Sequence, residues 1–470
     1  MGTDLLAILN QASTSLNAHR TAAATAGQNI ANVNTPGYSR QTANLEALSP
    51  SDPIGDGFVG RGVGVQSITQ ARDQFLERQL PNALAAQGFS STESAALNAV
   101  SALDPDGGTG LTAALNAFYS SLRDVSQNPS DTGLRQAVVS AAQTLTRTFN
   151  RTSQSMEDAR NGVDAKLNGD VAEVNQAASA MAALNTQIRI ARSTQGGMEP
   201  NDLLDARQKL QDQLTQLTGA VPVTDSGGDV SMALPGGGAL VSGARAAQLQ
   251  VIPDPNNGGH FAIQMIRADG TGPVAIAGNA IGGEMGGGIS ARDNGMLAAK
   301  NGIDTLAYDL ATTVNSVHSA GYAADGTTGH LMFSVAAGPA GAAGSLDVDA
   351  SLLADPSLLA TASAPGASGD NRNALALINT ESTALSTGVD ATTAFQNIVT
   401  SFGAKAQLSQ SISDQDQSVA DHLNQLREST SGVNLDEEMV NMTKAQRAFE
   451  AVSKVITTTD SLLDTLMSLK

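Results

Sequence analysis

The residues that could do chemistry are few and poorly spaced for it. Five histidines, His19, His260, His318, His330 and His422, are scattered over 470 residues. No two share the helical spacing that sets two imidazoles over one metal ion. His318 and His330 flank a Gly-rich turn, where loop polarity explains them better than a ligand pair. Cysteine is absent, so there is no thiolate metal site and no disulfide framework. "DPDGGTG" (Asp104 to Gly110) opens like a calcium loop, but Gly107 comes too early and the later acid is missing. "GGGISARD" sets Gly286, Gly288 and Ala291 in a G-x-G-x-x-A pattern before a helix, with Asp304 and Asp309 downstream. A dinucleotide site needs that pattern inside a parallel β-α-β unit. The preceding strands read as hairpins, and no second parallel strand follows. The glycosylation sequons at Asn150 and Asn441 fall in strong helical patterns and read as chance. No G-x-S-x-G and no phosphate loop occurs. The expectation is a protein that is not an enzyme, with no metal and no cofactor.

The elements around these residues are more informative. The formal net charge of −19 argues against nucleic acid or an anionic membrane surface as main partner, because both call for a basic patch. No run of about 18 apolar residues suggests a membrane span. Charged residues are only 15% of the chain and hydrophobic ones 41%, enough for a sizeable core. Aromatics are 3%, Trp is absent and Gly numbers 47, so small side chains must do much of the packing.

A helix is predicted from Thr3 to Val33. Leu5, Leu9, Ala12, Leu16, His19, Ala23, Ala26, Ile30 and Val33 step by three and four, a seam of period 3.5. Asp4 and Arg20 are the only charged side chains before Arg40, so this helix is expected to pack on several sides. "NIANVNTPGYSRQ" ends it. Thr35 is pushed towards extended backbone by Pro36, and Pro36 and Gly37 suit the centre of a type II turn. A Gly- and Ser-rich connecting arm follows. Helices are predicted from Ala71 to Thr218, broken at "DPDGGTG", "SQNPSDTG" and "TQGGMEPN", with a long Ala-rich rod from Thr132 to Arg192. "AAQLQVI", "HFAIQMIR" and "GPVAIAG" read as an antiparallel meander. Helix resumes near Ile289. A weakly patterned Gly/Ala/Pro-rich insert follows, then helix again from Asn371 to Ser429. The last helix has Asn434 as cap and Asp436, Glu437 and Glu438 in its first turn, where the helix dipole favours anions. Met442, Ala445, Phe449, Val452, Ile456, Thr459, Leu463 and Leu466 repeat the seam.

The expected fold is mainly α with a small antiparallel β part and paired N- and C-terminal coiled-coil helices. Its divisions are an N-terminal helix and arm (1–70), a helical rod domain (71–319) with a β meander (221–290), a short outer insert (320–369), return helices (370–430) and a C-terminal helix (431–470).

Two stretches carry a resemblance. "LNAHRTAAATAGQNIANVNTPGYSRQ" resembles the N-terminal motif of the rod, hook and hook-associated proteins of the bacterial flagellum, and "SGVNLDEEMVNMTKAQRAFEAVSKVITTTDSLLDTLMSL" resembles their C-terminal motif. "NTPGYSRQ", "ARDQFLERQL" and "GLTAALNAFYSSLRDVSQNPSDTGLRQAVV" point within that family to the hook-associated junction branch. The resemblance implies a structural, self-assembling part between hook and filament. Its partners would be further copies of itself, hook protein, the next hook-associated junction protein, and an export chaperone at the C-terminal helix. It implies a place outside the cell on the flagellum, reached without a cleaved signal peptide; the opening "MGTDLLAILNQAS" has no basic or long apolar region of the secretory kind. On this reading Leu5, Leu9, Leu16, Ile30, Val33, Met442, Phe449, Val452, Ile456, Leu463 and Leu466 form the assembly seam. Asn29, Asn32, Asn34, Thr35, Pro36, Gly37 and Tyr38 form the turn that sends the chain outward. A hook or distal rod protein would share both motifs, but its middle is expected to be β-rich. A secreted enzyme displayed on flagellar termini would need a catalytic grouping that the insert lacks.

Overall fold

The computed structural model describes residues 2–49, 53–54, 57–58, 60–100, 110–194 and 199–468. Most of the "DPDGGTG" calcium-loop candidate and the middle of "TQGGMEPN" therefore lie outside the described residues. Helix α1 (Gly2–Ala31) leads into an arm of β1 (Gln41–Ala47), the two-residue strands β2 (Pro53–Ile54) and β3 (Gly57–Phe58), and β4 (Val63–Gln70). β1 and β4 pair antiparallel, with a register shift between Asn44 and Leu45. The arm does not leave α1 behind. It folds back along it, and Val63 N–H donates to Ser15 Oγ at 3.3 Å.

Four helices build the rod: α2 (Gln74–Asn98), α3 (Leu111–Gln127), α4 (Thr132–Thr194) and α5 (Asn201–Thr218). Asp73 caps α2 by accepting from Phe75 N–H at 2.8 Å, and Asp131 accepts from Gly133 and Leu134 N–H ahead of α4. α5 stops where Gly219 turns left-handed at φ 69°. At 63 residues, α4 is about 95 Å long. Beside its second half lie two antiparallel sheets. One has the order β5 (Val221–Thr224), β6 (Val230–Ala233), β7 (Ala239–Ser242), β8 (Arg245–Ala246). The other joins β9 (Gln248–Pro253), β10 (Phe261–Ile266) and β11 (Val274–Ile276), with β10 central.

The expected meander ends at Ile276, not at 290. Helix resumes at α6 (Gly283–Ser290), passes through a π-helical turn (Ala291–Met296) and continues as α7 (Leu297–Ala320). The glycines that suggested a nucleotide loop are helical for a packing reason. A Cβ on Gly287 would sit 2.1 Å from the carbonyl oxygen of Phe89 in α2, so only glycine allows this approach.

The segment 320–369 is not an outer unit. It carries β12 (Phe333–Ser334), α8 (Ala342–Ser345), β13 (Asp347–Val348) and α9 (Ala350–Ala354). Met332, Phe333, Leu346 and Leu352 are buried in the main core. Asn315 of α7 fastens it, accepting from the Met332 and Phe333 N–H groups and donating to Phe333 O. Its apolar residues are too sparse to show a period, but these four reach the helices, while Leu331 stays exposed. The chain ends with α10 (Arg372–Asn379), α11 (Ala391–Ser431) and α12 (Leu435–Ser468). No helix among the described residues is long and apolar enough to cross a membrane.

Among the described residues, besides a small cluster joining Leu76 and Leu80 of α2 to Leu423 of α11, two large cores lie in line along α4. The upper one joins α3, α7, the 320–369 segment and the first half of α11 around Phe118, Tyr119, Phe149 and Phe395. The lower one sets Leu167 to Ala182 of α4 against α5, α6 and both sheets. Between them, buried Arg160 and Asp164 replace apolar residues on α4. Asp164 meets His260 Nδ1 at 2.6 Å and also binds Arg292. His260 Nε2 lies 3.0 Å from Glu157, and Arg160 donates to Asn257 at 2.8 Å. This ionic collar pins the β9–β10 hairpin and the π-helical turn to the long helix.

Candidate assembly site

α1 and α12 run antiparallel, in the most extensive helix pairing among the described residues. On α12, Met442, Ala445, Phe449, Val452, Ile456, Thr459 and Leu463 are buried or half-buried, together with Ala448 and Ser453. Leu466 is exposed. On α1, Leu5, Leu9, Leu16 and Ile30 are half-buried, while Ala12, Ala18 and Ala26 are buried. Val33 departs from the expected seam. α1 ends at Ala31, and Val33 lies exposed past its last turn. The close approach is made by alanines, and the larger side chains lie at the edges of the contact.

The turn motif forms the joint between this helix pair and the rod. Tyr38 N–H donates to Thr35 O at 3.2 Å, and Gly37 has φ 81°, as the third position of a type II turn requires. Asn32 donates to Gln28 O and accepts from Thr35 Oγ1, which ties the last helical turn to the bend. Asn34, Thr35, Pro36 and Gly37 themselves are exposed.

Asn29 is the centre. It is fully buried and uses all its capacity. Its Oδ1 accepts from Gln41 N–H at 3.0 Å and Tyr38 O–H at 2.8 Å. Its Nδ2 donates to Gln41 O at 2.8 Å and to Glu438 Oε2 at 3.0 Å. Glu438, in the first turn of α12, is 3% exposed and takes Arg40 Nε at 2.8 Å on its other oxygen. Arg40 also reaches Glu437 at 3.0 Å, and its N–H donates to Ser431 O at the end of α11. One buried amide thus ties the end of α1, the first residue of the arm and the start of α12.

The rod side of the joint is α5. Asp202 accepts from Gln41 Nε2 at 3.2 Å. Asp205 accepts from Ser39 N–H at 3.1 Å, Gln70 Nε2 at 2.8 Å and Arg72 at 3.1 Å. Asn201 donates to Gln41 Oε1 at 3.3 Å. Further out, Arg427 of α11 meets Asp212 at 2.8 Å. Acids outnumber bases here. Partial burial, with Asp202, Asp205 and Glu438 nearby, drives the Tyr38 phenol well above its ordinary range, so it stays a donor to Asn29.

Gln41, Arg40, Asp202 and Asp205 are not singled out by sequence reasoning, and Glu438 reads there only as a first-turn acid of the last helix. One signal pointed to Glu438: it stands four residues before Met442, on the seam, where a lone carboxylate must have a buried partner.

The chemical decoys resolve into structure. His318 is buried. Its Nε2 accepts from Ala360 N–H at 3.0 Å and its Nδ1 donates to His330 O at 2.8 Å, which fixes the neutral tautomer. Burial pulls its pKa from 6.5 down to about 4. Asp304 accepts from Gly341 and Ala343 N–H, and Asp309 accepts from Ser386 N–H. Asn150 donates to the carbonyls of Ala343 and Leu346. No cluster of three or more His, Asp or Glu side chains suited to a metal occurs among the described residues.

A helical rod carried on an antiparallel pair of chain-terminal helices, with a polar joint between them, defines an axial structural protein. The comparisons with known proteins agree. The profile described as "Flagellar hook-associated protein FlgK helical domain" matches residues 97–333, and that described as "Flagellar basal body rod FlgEFG protein C-terminal" matches residues 425–469. The chain belongs to the flagellar hook-associated protein FlgK family. It is 30% identical to flagellar hook-associated protein 1 of Salmonella typhimurium over 70% of this chain, and the match spans 59% of that protein's length. It is 28% identical to the protein of the same name from Bacillus subtilis, over 98% of this chain and 97% of the relative. The flagellar hook junction protein FlgK from Burkholderia pseudomallei shares the fold, with a TM-score of 0.68 at 18% identity over 75% of this chain and all of that one.

Proposed function

We propose that this chain is a non-catalytic, self-assembling component of the junction between flagellar hook and filament. On this reading the α1–α12 pair continues an inner tube, and the rod domain touches lateral neighbours. Hook protein lies on one side and the next hook-associated junction protein on the other. The protein works outside the cell, after export as an unfolded chain. An export chaperone holds the stripe from Met442 to Leu466 until then.

One observation carries the proposal. The helix pair leaves Leu6, Ile8, Met439, Val440, Val455, Leu462 and Met467 exposed, while the joint at Asn29 locks it to a well-buried body. Such an apolar surface on a positioned pair is built to be covered. The deciding experiment is a strain lacking the gene. It should build hooks without filaments and shed flagellin into the medium; normal filaments on those cells would overturn the reading. Deleting 434–470 should abolish chaperone capture in a pull-down, and undiminished capture would move that site elsewhere.

A further inference from the structure

Glu157, Arg160 and Asp164 follow one another on α4 at steps of three and four, so they share one face of the helix. His260, at the end of the turn that joins β9 to β10, reaches into this face. Its side chain is 2% exposed, and both ring nitrogens are taken. Nδ1 lies 2.6 Å from Asp164 Oδ2, and Nε2 lies 3.0 Å from Glu157 Oε1.

An ionised carboxylate only accepts, and a neutral imidazole has one N–H to give. A neutral ring would satisfy one carboxylate and turn a bare lone pair on the other. Two such contacts at a buried ring require a proton on each nitrogen. With the ring charged, His260, Arg160 and Arg292 balance Glu157, Asp164 and Asp293. Of the other charged groups around it, Asp254 of the hairpin accepts from Asn256 N–H, and Lys300 of α7 is paired with Asp304. Arg151 and Asp158 of α4 are exposed.

The two carboxylates are not equal. Asp164 is 11% exposed and is also held by Arg292 and by the Phe261 N–H at 3.3 Å. Glu157 is 33% exposed, and its second oxygen meets Arg160 at 3.4 Å, a long contact. When one proton leaves the ring, the Glu157 contact is the one to fail, because water can take up that carboxylate. The loss reaches the hairpin by a second route. Arg160 Nε has no hydrogen-bond partner among the described residues, and without Glu157 the guanidinium is left with Asn257 Oδ1 at 2.8 Å, in the hairpin turn.

We propose that His260 is a proton-operated latch of the body. Protonated, it clamps the β9–β10 hairpin to α4 through Asp164 and Glu157. On losing the Nε2 proton it keeps Asp164, lets Glu157 go and frees the turn 254–259. The closed form holds one proton more than the open one, so a rise in pH opens it. The latch lies within the body and stands whether or not the chain assembles as proposed.

The full-length chain, isotope-labelled in its histidine ring nitrogens, reports both sides of this equilibrium. The ring signals show which nitrogens carry protons, and the His260 signal is the one missing from His260→Gln. In mild acid the ring should carry both protons. As the pH rises, the Nε2 proton should leave. Over the same interval the amides of Asp254 and Gly259, both hydrogen-bonded inside the turn, should lose protection by about tenfold or more relative to intrinsic exchange. Amides in α3 should not change. Glu157→Gln should hold the turn closed throughout, because its amide can donate to the bare Nε2. Three results would each overturn the latch: a ring with one proton in mild acid, a turn still protected after the proton has left, or a ring that keeps both protons until the body unfolds. An equal loss of protection in Glu157→Gln would overturn it as well.

Discussion

Phe118 and Ile456 occupy similar stripes in very different company. α3 has 17 residues and fully buries Leu111, Leu115, Phe118, Leu122 and Val125. α12 is twice as long, yet its buried residues are only Glu438, Ala445 and Thr459. The rest of its stripe is half-covered, and its other faces keep large apolar side chains in solvent. The body helix obtains its stability inside one chain. The terminal pair has a specified geometry but an unfinished core. A helix with so little tertiary burial would gain much stability from any neighbour that covered it.

The sharpest way to break this comparison is to damage each stripe. Phe118→Ala should cost the full-length monomer about 3–5 kcal/mol in a denaturant melt. Ile456→Asp should leave that melt nearly unchanged and still abolish filaments, because a carboxylate cannot sit in a covered seam unpaired. Equal shifts in the two melts would mean that the termini belong to the body's cooperative core.

The next test separates the two regions by pH. The pKa of His318 is depressed in the folded body to about 4, below its unfolded value of 6.5. Between these values the unfolded chain binds the extra proton, so stability falls as pH drops from 6.5 to 4 and then levels off. The loss is at most about 3 kcal/mol. It should appear in the body's unfolding transition and be flattened by His318→Gln. A slope that survives the substitution would assign it to other groups.

A smaller effect belongs to the joint. Glu438→Ala leaves the Asn29 amide and Arg40 short of a buried acceptor, a cost of about 1–3 kcal/mol. Hydrogen exchange should quicken in the last turns of α1 and the first turns of α12 and stay unchanged in α3 and α7. Quickening throughout would show that the joint supports the body as well. The smallest effect is the control: Asp464→Asn, exposed on α12 and off the stripe, should alter neither melt nor motility.

What was legible in the sequence follows the same division. The helical class, the antiparallel strands and the two terminal stripes show in apolar spacing, because each is a local pattern of three- and four-residue steps. The bend at Pro36–Gly37 shows because few residues permit it. The glycines from Gly286 to Gly288 are ambiguous as a pattern, since a close helix crossing and a phosphate loop demand the same absent side chain; the hairpin strands before them decide against the loop. The 320–369 segment looked detachable because Met332, Phe333, Leu346 and Leu352 reach the core singly, without a period. The joint stayed hidden for a different reason. Gln41, Asp202, Asp205 and Glu438 are ordinary polar residues until the fold brings them together. Which neighbours the terminal stripes meet is not written in one chain at all.

The Asn29–Glu438 hydrogen bond spans 409 positions of sequence. Closing so long a loop is entropically costly, and it repays nothing until both partners are present. Whichever end emerges first must wait for the other. The joint therefore acts as a proof of completeness. A truncated chain can fold its rod but cannot dock its two ends, so it has no straight, paired stem to offer. If the proposed assembly holds, such a stem would act as a filter, and fragments would be excluded without any separate inspection.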